Sequence, residues 1–129
     1  MRFSLFTENG ALNSPSIFEA FGSSLKNAGH DVVYNDMEAD VAVIWSVLWS
    51  GRMKPNKKVF DHFKDQNKPV LVLEVGSIKR GKTWKIGLNG VNKMNYPYLD
   101  KIDMDMSRAE KFDIKLKDWK YTGDKILIA

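Results

Sequence analysis

The chain has 129 residues, a length typical of one domain, with 43% hydrophobic and 28% charged side chains. It contains no cysteine, which excludes disulfides, thiolate metal sites and cysteine nucleophiles. No apolar run approaches the roughly 20 residues that a membrane helix needs, and residues 1–8 lack the apolar core of a signal peptide. We therefore expect a cytoplasmic protein with no membrane partner.

The net charge of +4 is unevenly distributed along the chain. Residues 54–85 carry nine basic and three acidic side chains, whereas residues 1–53 carry three basic and six acidic ones. Residues 86–129 are nearly balanced, with eight basic and seven acidic side chains. The basic segment indicates either a surface that faces an anion or an ordinary solvated lysine-rich surface.

The N-terminal residues predict a strand followed by a helix. Residues 2–7 alternate between polar and apolar side chains, which is typical of a strand. The sequence Ser14-Pro15-Ser16 favours the start of a helix, and Ser16 and Glu19 have the spacing of a capping box. Gly29 suits the left-handed residue that ends such a helix.

The next elements predict a parallel sheet. Residues 31–34, 41–45 and 70–75 are strand-like, and a helix is expected from Pro55 between the last two. Helical crossovers between apolar strands favour an α/β fold, a single Rossmann-like domain over residues 1–129 with helices on both faces of a mostly parallel sheet. Only residues 35–40 join the second and third strands, although a parallel crossover usually needs about a dozen residues. Either this link is irregular or the second strand lies at an edge.

The C-terminal third of the chain differs from the rest in its sequence pattern, which predicts short elements separated by loops. It predicts a strand over residues 83–88, an ordered loop over 92–105, a short helix near Arg108, an edge strand over 112–116 and a strand over 125–129. Because the chain stops inside an apolar strand, we expect either the first strand of a second domain or the last strand of a complete sheet. The first interpretation is favoured.

Ligands of open parallel sheets collect beyond the carboxyl ends of the strands, and this rule selects three segments. The first contains Glu8, Asn9 and Gly10, ahead of a helix N-terminus that can hold an anion; the alternative is a plain capped turn. The second segment, Ser46 to Arg52, follows the strand that ends at Trp45 and contains Trp49.

The third segment, residues 74–85, is the most unusual. Glu74 offers a carboxylate at a strand end, where it can accept a proton from a hydroxyl group. Lys79, Arg80 and Lys82 can hold phosphate oxygens. The spacing Gly76-x4-Gly81-Lys82-Thr83 matches a Walker motif, but a strand-like stretch follows where that motif requires a helix. A basic hairpin or loop is therefore favoured over nucleotide hydrolysis.

Aromatic and metal-ligating residues provide weaker signals. Trp49 and Trp84 flank the strand-end region and can stack nucleic-acid bases, although ordinary packing of these rings is the alternative. A non-enzymatic nucleic-acid-binding module that uses the basic strip 79–85 with Trp84 is therefore a second hypothesis. The histidines His30 and His62 have no second ligand at metal spacing, and Asp100, Asp103 and Asp105 lack the remaining residues of a calcium loop. We expect no metal site and no cofactor.

Three stretches resemble a known family. They are Asp40–Trp45, Pro69–Gly76 and Gly87–Asn92, with Glu74-x-Gly76 and Asn89-Gly90-x-Asn92 matching best. Over residues 31–129 the chain is similar to the N-terminal half of glycosyltransferase-like proteins of phage or marine microbial type, which have two Rossmann-like domains in the GT-B arrangement. In that resemblance the second domain begins at residues 123–128.

The resemblance implies an acceptor-side half that is inactive alone, because the nucleotide-sugar contacts of such enzymes lie mainly in the second half. It implies a sugar or phosphate-bearing ligand, with Glu74 as the catalytic or acceptor-contacting carboxylate. Lys79, Arg80 and Lys82 would hold phosphate. The candidate ligand-binding residues are Glu8, Asn9, Gly10, Trp49, Arg52, Gly76, Lys79, Arg80, Lys82, Trp84 and Asn89. An interaction or scaffold domain without a small ligand is a further alternative.

Overall fold

The computed structural model of the chain describes residues 1–91, 107–115 and 117–118. The chain divides into two compact units, Met1–Pro97 and Tyr98–Ala129. The strands of the first unit are β1 (Arg2–Leu5), β2 (Asp31–Tyr34), β3 (Val41–Trp45), β4 (Val70–Val75) and β5 (Trp84–Leu88). They form one sheet in the order β2-β1-β3-β4-β5, in which β1 to β4 are parallel and β5 is antiparallel to β4. The prediction of an α/β fold with a mostly parallel sheet is confirmed.

The first helix begins earlier than its predicted cap. The helices are α1 (Pro15–Asn27), a 3-10 turn (Gly51–Met53), α2 (Asn56–Asp65) and α3 (Ser107–Lys111). Ser14 occupies the N-cap position of α1 without a side-chain capping bond, so the capping box predicted at Ser16 and Glu19 is wrong. Pro15 explains the earlier start, because its fixed φ suits a first helical turn. Gly29, with φ of 81°, takes the expected left-handed conformation after the helix.

Strand β3 divides its side chains between two apolar clusters. All five of its residues are buried, as its continuous apolar sequence predicted. Val41, Val43 and Trp45 pack in a cluster that includes Phe18 of α1. Ala42 and Ile44 pack in a second cluster that includes Val59 and Phe63 of α2. Because successive strand residues point to opposite faces of a sheet, β3 contributes side chains to both clusters.

The short link between β2 and β3 crosses over β1, and β2 lies at the edge of the sheet. The Ser4 hydroxyl, which is fully buried, accepts a bond of 2.8 Å from the Asp36 backbone N–H. The Arg2 N–H donates to the Asp40 carboxylate at 2.7 Å, and Ala39 is buried in the core. Both explanations offered for this link therefore hold, since it is irregular and leads from an edge strand.

Replacing Ser4 with alanine (Ser4→Ala) is expected to lower the free energy of unfolding by about 1–2 kcal/mol, because the Asp36 N–H then loses its acceptor. Urea denaturation measures the loss. Ser24→Ala is the matched control, since the exposed Ser24 hydroxyl only donates to Ala20 O of its own helix. Equal stability of the two variants would contradict a structural role for Ser4 in the crossover.

The second unit contains the short helix α3, as predicted near Arg108. The edge strand predicted over residues 112–116 is wrong for the described part, because residues 112–115 form a turn and an irregular segment. Asp113 has φ of 52°, a left-handed conformation that breaks a pleated strand. The elements predicted at 92–105 and 125–129 lie outside the described residues. Within the described parts of the chain, no helix is long and apolar enough to span a bilayer.

Candidate ligand site at the carboxyl edge of the sheet

Three neighbouring strands end at the same edge of the sheet, which we call the carboxyl edge. β1, β3 and β4 are adjacent and parallel, so the segments that follow them emerge side by side. Neighbouring strands lie about 4.8 Å apart. The structure thus brings together the three segments selected from the sequence. The segments after β1 and β3 leave neighbouring strand ends, where ligands of open parallel sheets commonly bind, and the position between these two strand ends is here called the β1/β3 crevice.

The segment after β1 is tied to its surroundings. Glu8 is exposed and accepts a bond of 3.0 Å from the Asn35 side-chain amide. The Asn9 carbonyl accepts a bond of 3.1 Å from Asn56 Nδ2. Gly10 is buried so close to Ser14 that a Cβ would overlap the Ser14 side chain. The geometry therefore explains why glycine follows Asn9, independently of any ligand.

The N-terminus of α1 offers few free donors to an anion. Pro15 has no N–H, and the N–H groups of Ile17 and Phe18 both donate to Ser14 O at 3.0 and 2.9 Å. The predicted anion at this helix start would thus find most of the first-turn N–H groups already engaged.

The segment after β3 carries Trp49 and Arg52. Trp49 is partly buried, and its ring centroid lies 5.4 Å from that of Phe60 in α2. Arg52 is exposed in the 3-10 turn. Ser46, the first residue of this segment, is buried with φ of 63°. The other non-glycine residues with positive φ in the described chain are Asn35, Asn67, Asn89 and Asp113, whose residue types tolerate this conformation better.

The hairpin loop between β4 and β5, residues 76–83, is here called the basic loop. Its backbone is bonded internally: the N–H groups of Lys82 and Thr83 both donate to Lys79 O at 3.0 Å, and Gly76 N–H donates to Thr83 O at 2.9 Å. The Lys79 N–H lies 3.2 Å from the Thr83 hydroxyl. A Walker loop directs such N–H groups at phosphate and continues into a helix. Here they point into the loop and a strand follows, so the hairpin interpretation is confirmed.

The cations of the basic loop are exposed. Lys79, Arg80 and Lys82 all lie on the solvent side, and Lys85 of β5 is exposed beside them. The carboxyl edge gains further exposed cations from the segment after β3 and the first turn of α2, namely Arg52, Lys54, Lys57 and Lys58. Lys64 and Lys68 lie at the other end of α2. The fold therefore places most cations of the basic segment, residues 54–85, at the carboxyl edge and the remaining two at the opposite end of α2.

Glu74 and Trp84 occupy opposite faces of the hairpin. Glu74 is half-buried, pairs with Lys85 across β4 and β5, and accepts a bond of 2.8 Å from the Val75 N–H. Strand alternation places it on the same face as Val72, which packs in the cluster of α2. The Trp84 ring lies on the other face, 5.9 Å from that of Trp45, and is partly buried there.

Asn89 lies away from the other candidates. It follows β5 at the end of the sheet where β4 begins, opposite the carboxyl edge. Its Oδ1 accepts a bond of 2.9 Å from the Val70 N–H, and its own backbone N–H donates to Val70 O at 2.7 Å. These two bonds close the hairpin at the start of β4. The structure does not bring Asn89 together with the basic loop.

Asn56, the first residue of α2, was missed by the sequence analysis. It is fully buried, and its Nδ2 donates to Trp45 O at 2.7 Å and to Asn9 O at 3.1 Å. It thereby joins the end of β3 to the segment after β1. An asparagine after proline at a helix start looks like an exposed polar residue, so no local signal identifies this role.

No group of three potential metal-ligating side chains occurs in the part of the chain that the structure describes. His62 is partly buried, and its Nε2 lies 3.1 Å from Met37 O in the link between β2 and β3. Comparison with known proteins finds no matching family model and no matching curated sequence.

Proposed function

We propose that this chain is the acceptor-side half of a glycosyltransferase-like protein and binds a phosphate-bearing sugar at the carboxyl edge. One observation carries the proposal: the basic loop stands at the end of β4, beside the segment that follows β3 and one strand further from the segment that follows β1. A ligand at this edge meets several exposed cations and a carboxylate within one or two strand spacings. Catalysis would require the second half, so the chain alone is inactive in this proposal.

In this proposal phosphate is held by side chains and not by the backbone. The N–H groups of Lys82 and Thr83 are engaged inside the basic loop, whereas the Arg80 and Lys82 side chains are exposed. A guanidinium can bind two phosphate oxygens at once, and an ammonium adds a point charge. Arg80 therefore supplies orientation and Lys82 supplies attraction.

Glu74 is the proposed contact for an acceptor hydroxyl group. Its carboxylate lies at the end of β4, on the face of α2, one strand away from the β1/β3 crevice. A carboxylate there can accept a hydrogen bond from a hydroxyl group and, with a donor sugar in place, its proton. The proposal also includes a Rossmann-like arrangement, supported by the separate clusters that hold α1 and α2, and a cytoplasmic location.

Removing three cations of the basic loop (Lys79→Ala, Arg80→Ala and Lys82→Ala together) is expected to weaken phosphate binding by about two orders of magnitude, because each charge-assisted contact contributes more than a neutral one. Isothermal titration with inorganic phosphate and with glucose 1-phosphate measures the change. Lys26→Ala, Lys64→Ala and Lys68→Ala together form the control, since they remove equal charge away from the carboxyl edge. Equal losses in both triple variants would refute a site at the basic loop.

Single-stranded nucleic acid is the second candidate ligand, favoured by the row of exposed cations on the carboxyl edge. Trp49 is partly buried against Phe60, and Trp84 against Trp45, so less ring surface is available for base stacking. For this reason nucleic acid ranks below a sugar phosphate as the candidate ligand. Titration with single-stranded DNA at about 50 and 200 mM salt distinguishes the two, because phosphate-backbone binding weakens steeply over this range. Saturable, salt-sensitive quenching of tryptophan fluorescence would favour nucleic acid.

A further inference from the structure

A buried side-chain amide, that of Asn56, lies between the end of β3 and the segment after β1, and it is not among the ligand-binding residues predicted from the sequence. Asn56 is 0% exposed, and its Nδ2 lies between Trp45 O, at 2.7 Å, and Asn9 O, at 3.1 Å. The two carbonyls fix the orientation of the amide, because only the NH2 group can donate to them. Oδ1 is bonded to the same amide carbon and therefore lies beside the same two backbone segments.

Asn56 Oδ1 is buried and has no hydrogen-bond partner among the described residues. It is the single buried side-chain polar atom of this kind in that part of the chain. Folded proteins rarely leave such an acceptor unmatched, and each exception calls for an explanation, such as strain, a functional role, or a water or ion that supplies the donor. Ser46, in its left-handed conformation, follows Trp45 at the same strand end.

The groups around Asn56 Oδ1 favour a ligand that donates a hydrogen bond over an anion that accepts hydrogen bonds. In the first turn of α2, the Lys57 N–H donates to Lys54 O at 3.2 Å and the Lys58 N–H donates to Pro55 O at 3.1 Å. The helix start therefore has few free donors for phosphate oxygens, whereas Oδ1 requires an O–H or N–H group. A sugar hydroxyl group satisfies that requirement without bringing a charge into a buried position.

We infer that the β1/β3 crevice binds a hydroxyl group of the sugar part of the ligand, with Asn56 Oδ1 as the acceptor. The inference rests on the proposed function and adds to it the group that recognises the sugar. The crevice lies about 5–10 Å from the end of β4 by strand spacing, a distance that a sugar phosphate spans. Because Asn56 is fully buried, entry of the ligand displaces the Asn9 segment and its 3.1 Å bond.

The test follows the Asn56 side-chain amide of the native chain by nuclear magnetic resonance, with glucose, glucose 1-phosphate and inorganic phosphate as probes. Glucose and glucose 1-phosphate are expected to shift the Asn56 resonance, whereas inorganic phosphate leaves it in place. A shift with glucose alone would support the crevice even if phosphate failed to bind, in which case only the proposed phosphate site is lost. An Asn56 resonance unmoved by both sugars overturns the inference.

Affinities provide the second measurement. Glucose 1-phosphate is expected to bind about fivefold to tenfold more tightly than inorganic phosphate, the difference that one buried neutral hydrogen bond makes. Asn56→Leu is expected to abolish this difference and leave phosphate affinity unchanged, while Asn27→Leu, on the exposed end of α1, preserves the difference. Full discrimination by a folded Asn56→Leu variant would refute the role of Oδ1. If that variant does not fold, the resonance measurement on the native chain decides.

Discussion

Replacing Gly76 with alanine (Gly76→Ala) is expected to destabilise the β4–β5 hairpin by about 3 kcal/mol, at the upper end of overpacking costs. A Cβ on Gly76 would overlap Thr83 O and Oγ1 and would lie 2.6 Å from the Thr83 carbonyl carbon. Two of these three atoms belong to the Thr83 backbone, directly before β5, so they cannot rotate away. The Gly76 N–H bond to Thr83 O, at 2.9 Å, would be lost with them.

Urea denaturation measures the effect of Gly76→Ala, and hydrogen exchange of the β5 amides localises it. Gly81→Ala is the matched control in the same loop: nothing lies within 4 Å of its Cβ position, and only its φ of 77° opposes alanine, at a cost of about 1 kcal/mol. A Gly76→Ala variant no less stable than Gly81→Ala would show that the hairpin accommodates the methyl group. In that case glycine at position 76 would need a functional explanation.

Replacing Asn56 with leucine (Asn56→Leu) is expected to lower the free energy of unfolding by about 2–4 kcal/mol, because two carbonyl groups lose their donor. Trp45 O lies at the end of the fully buried strand β3 and has the shorter bond, 2.7 Å, so it contributes most of the loss. Removal of the unpartnered Oδ1 offsets part of the cost. Leucine nearly conserves the volume, so no large cavity adds to the effect.

Chemical denaturation of Asn56→Leu beside Asn27→Leu tests this prediction. Asn27 is exposed at the end of α1, so its replacement is expected to change stability by less than about 0.5 kcal/mol. Indistinguishable stabilities of the two variants would mean that the Asn56 amide does not hold the two segments together. The stability measurement is independent of ligand binding and stands whether or not the crevice binds sugar.

Local sequence patterns predicted the sheet well where burial is uniform. The continuous apolar runs over residues 41–45 and 70–75 predicted β3 and β4, and β3 is buried throughout. The same patterns gave wrong predictions where the conformation of a single residue determines where an element begins or ends. Alternation over residues 112–116 indicated a strand, but the positive φ of Asp113 ends α3 there. Likewise, Ser16 and Glu19 had capping-box spacing, but Pro15 already lies in the helix.

The candidate site was predictable only in part. The rule about strand ends selected Glu8, Glu74 and the basic loop from the sequence, and the sheet order places these at one edge. The same rule does not predict that Asn89 lies at the opposite end of the sheet. The position of Asn89 depends on the antiparallel direction of β5, which the rule does not address. Whether any of these residues binds a ligand stays a prediction until the titrations are made.

The α/β class, the order of strands and helices as far as β5, and the basic character of the segment between β4 and β5 could all be predicted from the amino-acid sequence. These follow from periodicity, apolar runs and turn residues, which act over a few neighbouring positions. The folded chain was needed to see that Asn56 lies against Asn9, 47 residues away, and that Trp84 packs on Trp45. Such contacts arise when strands distant in sequence become neighbours in the sheet, and their energy depends on burial that no local pattern encodes.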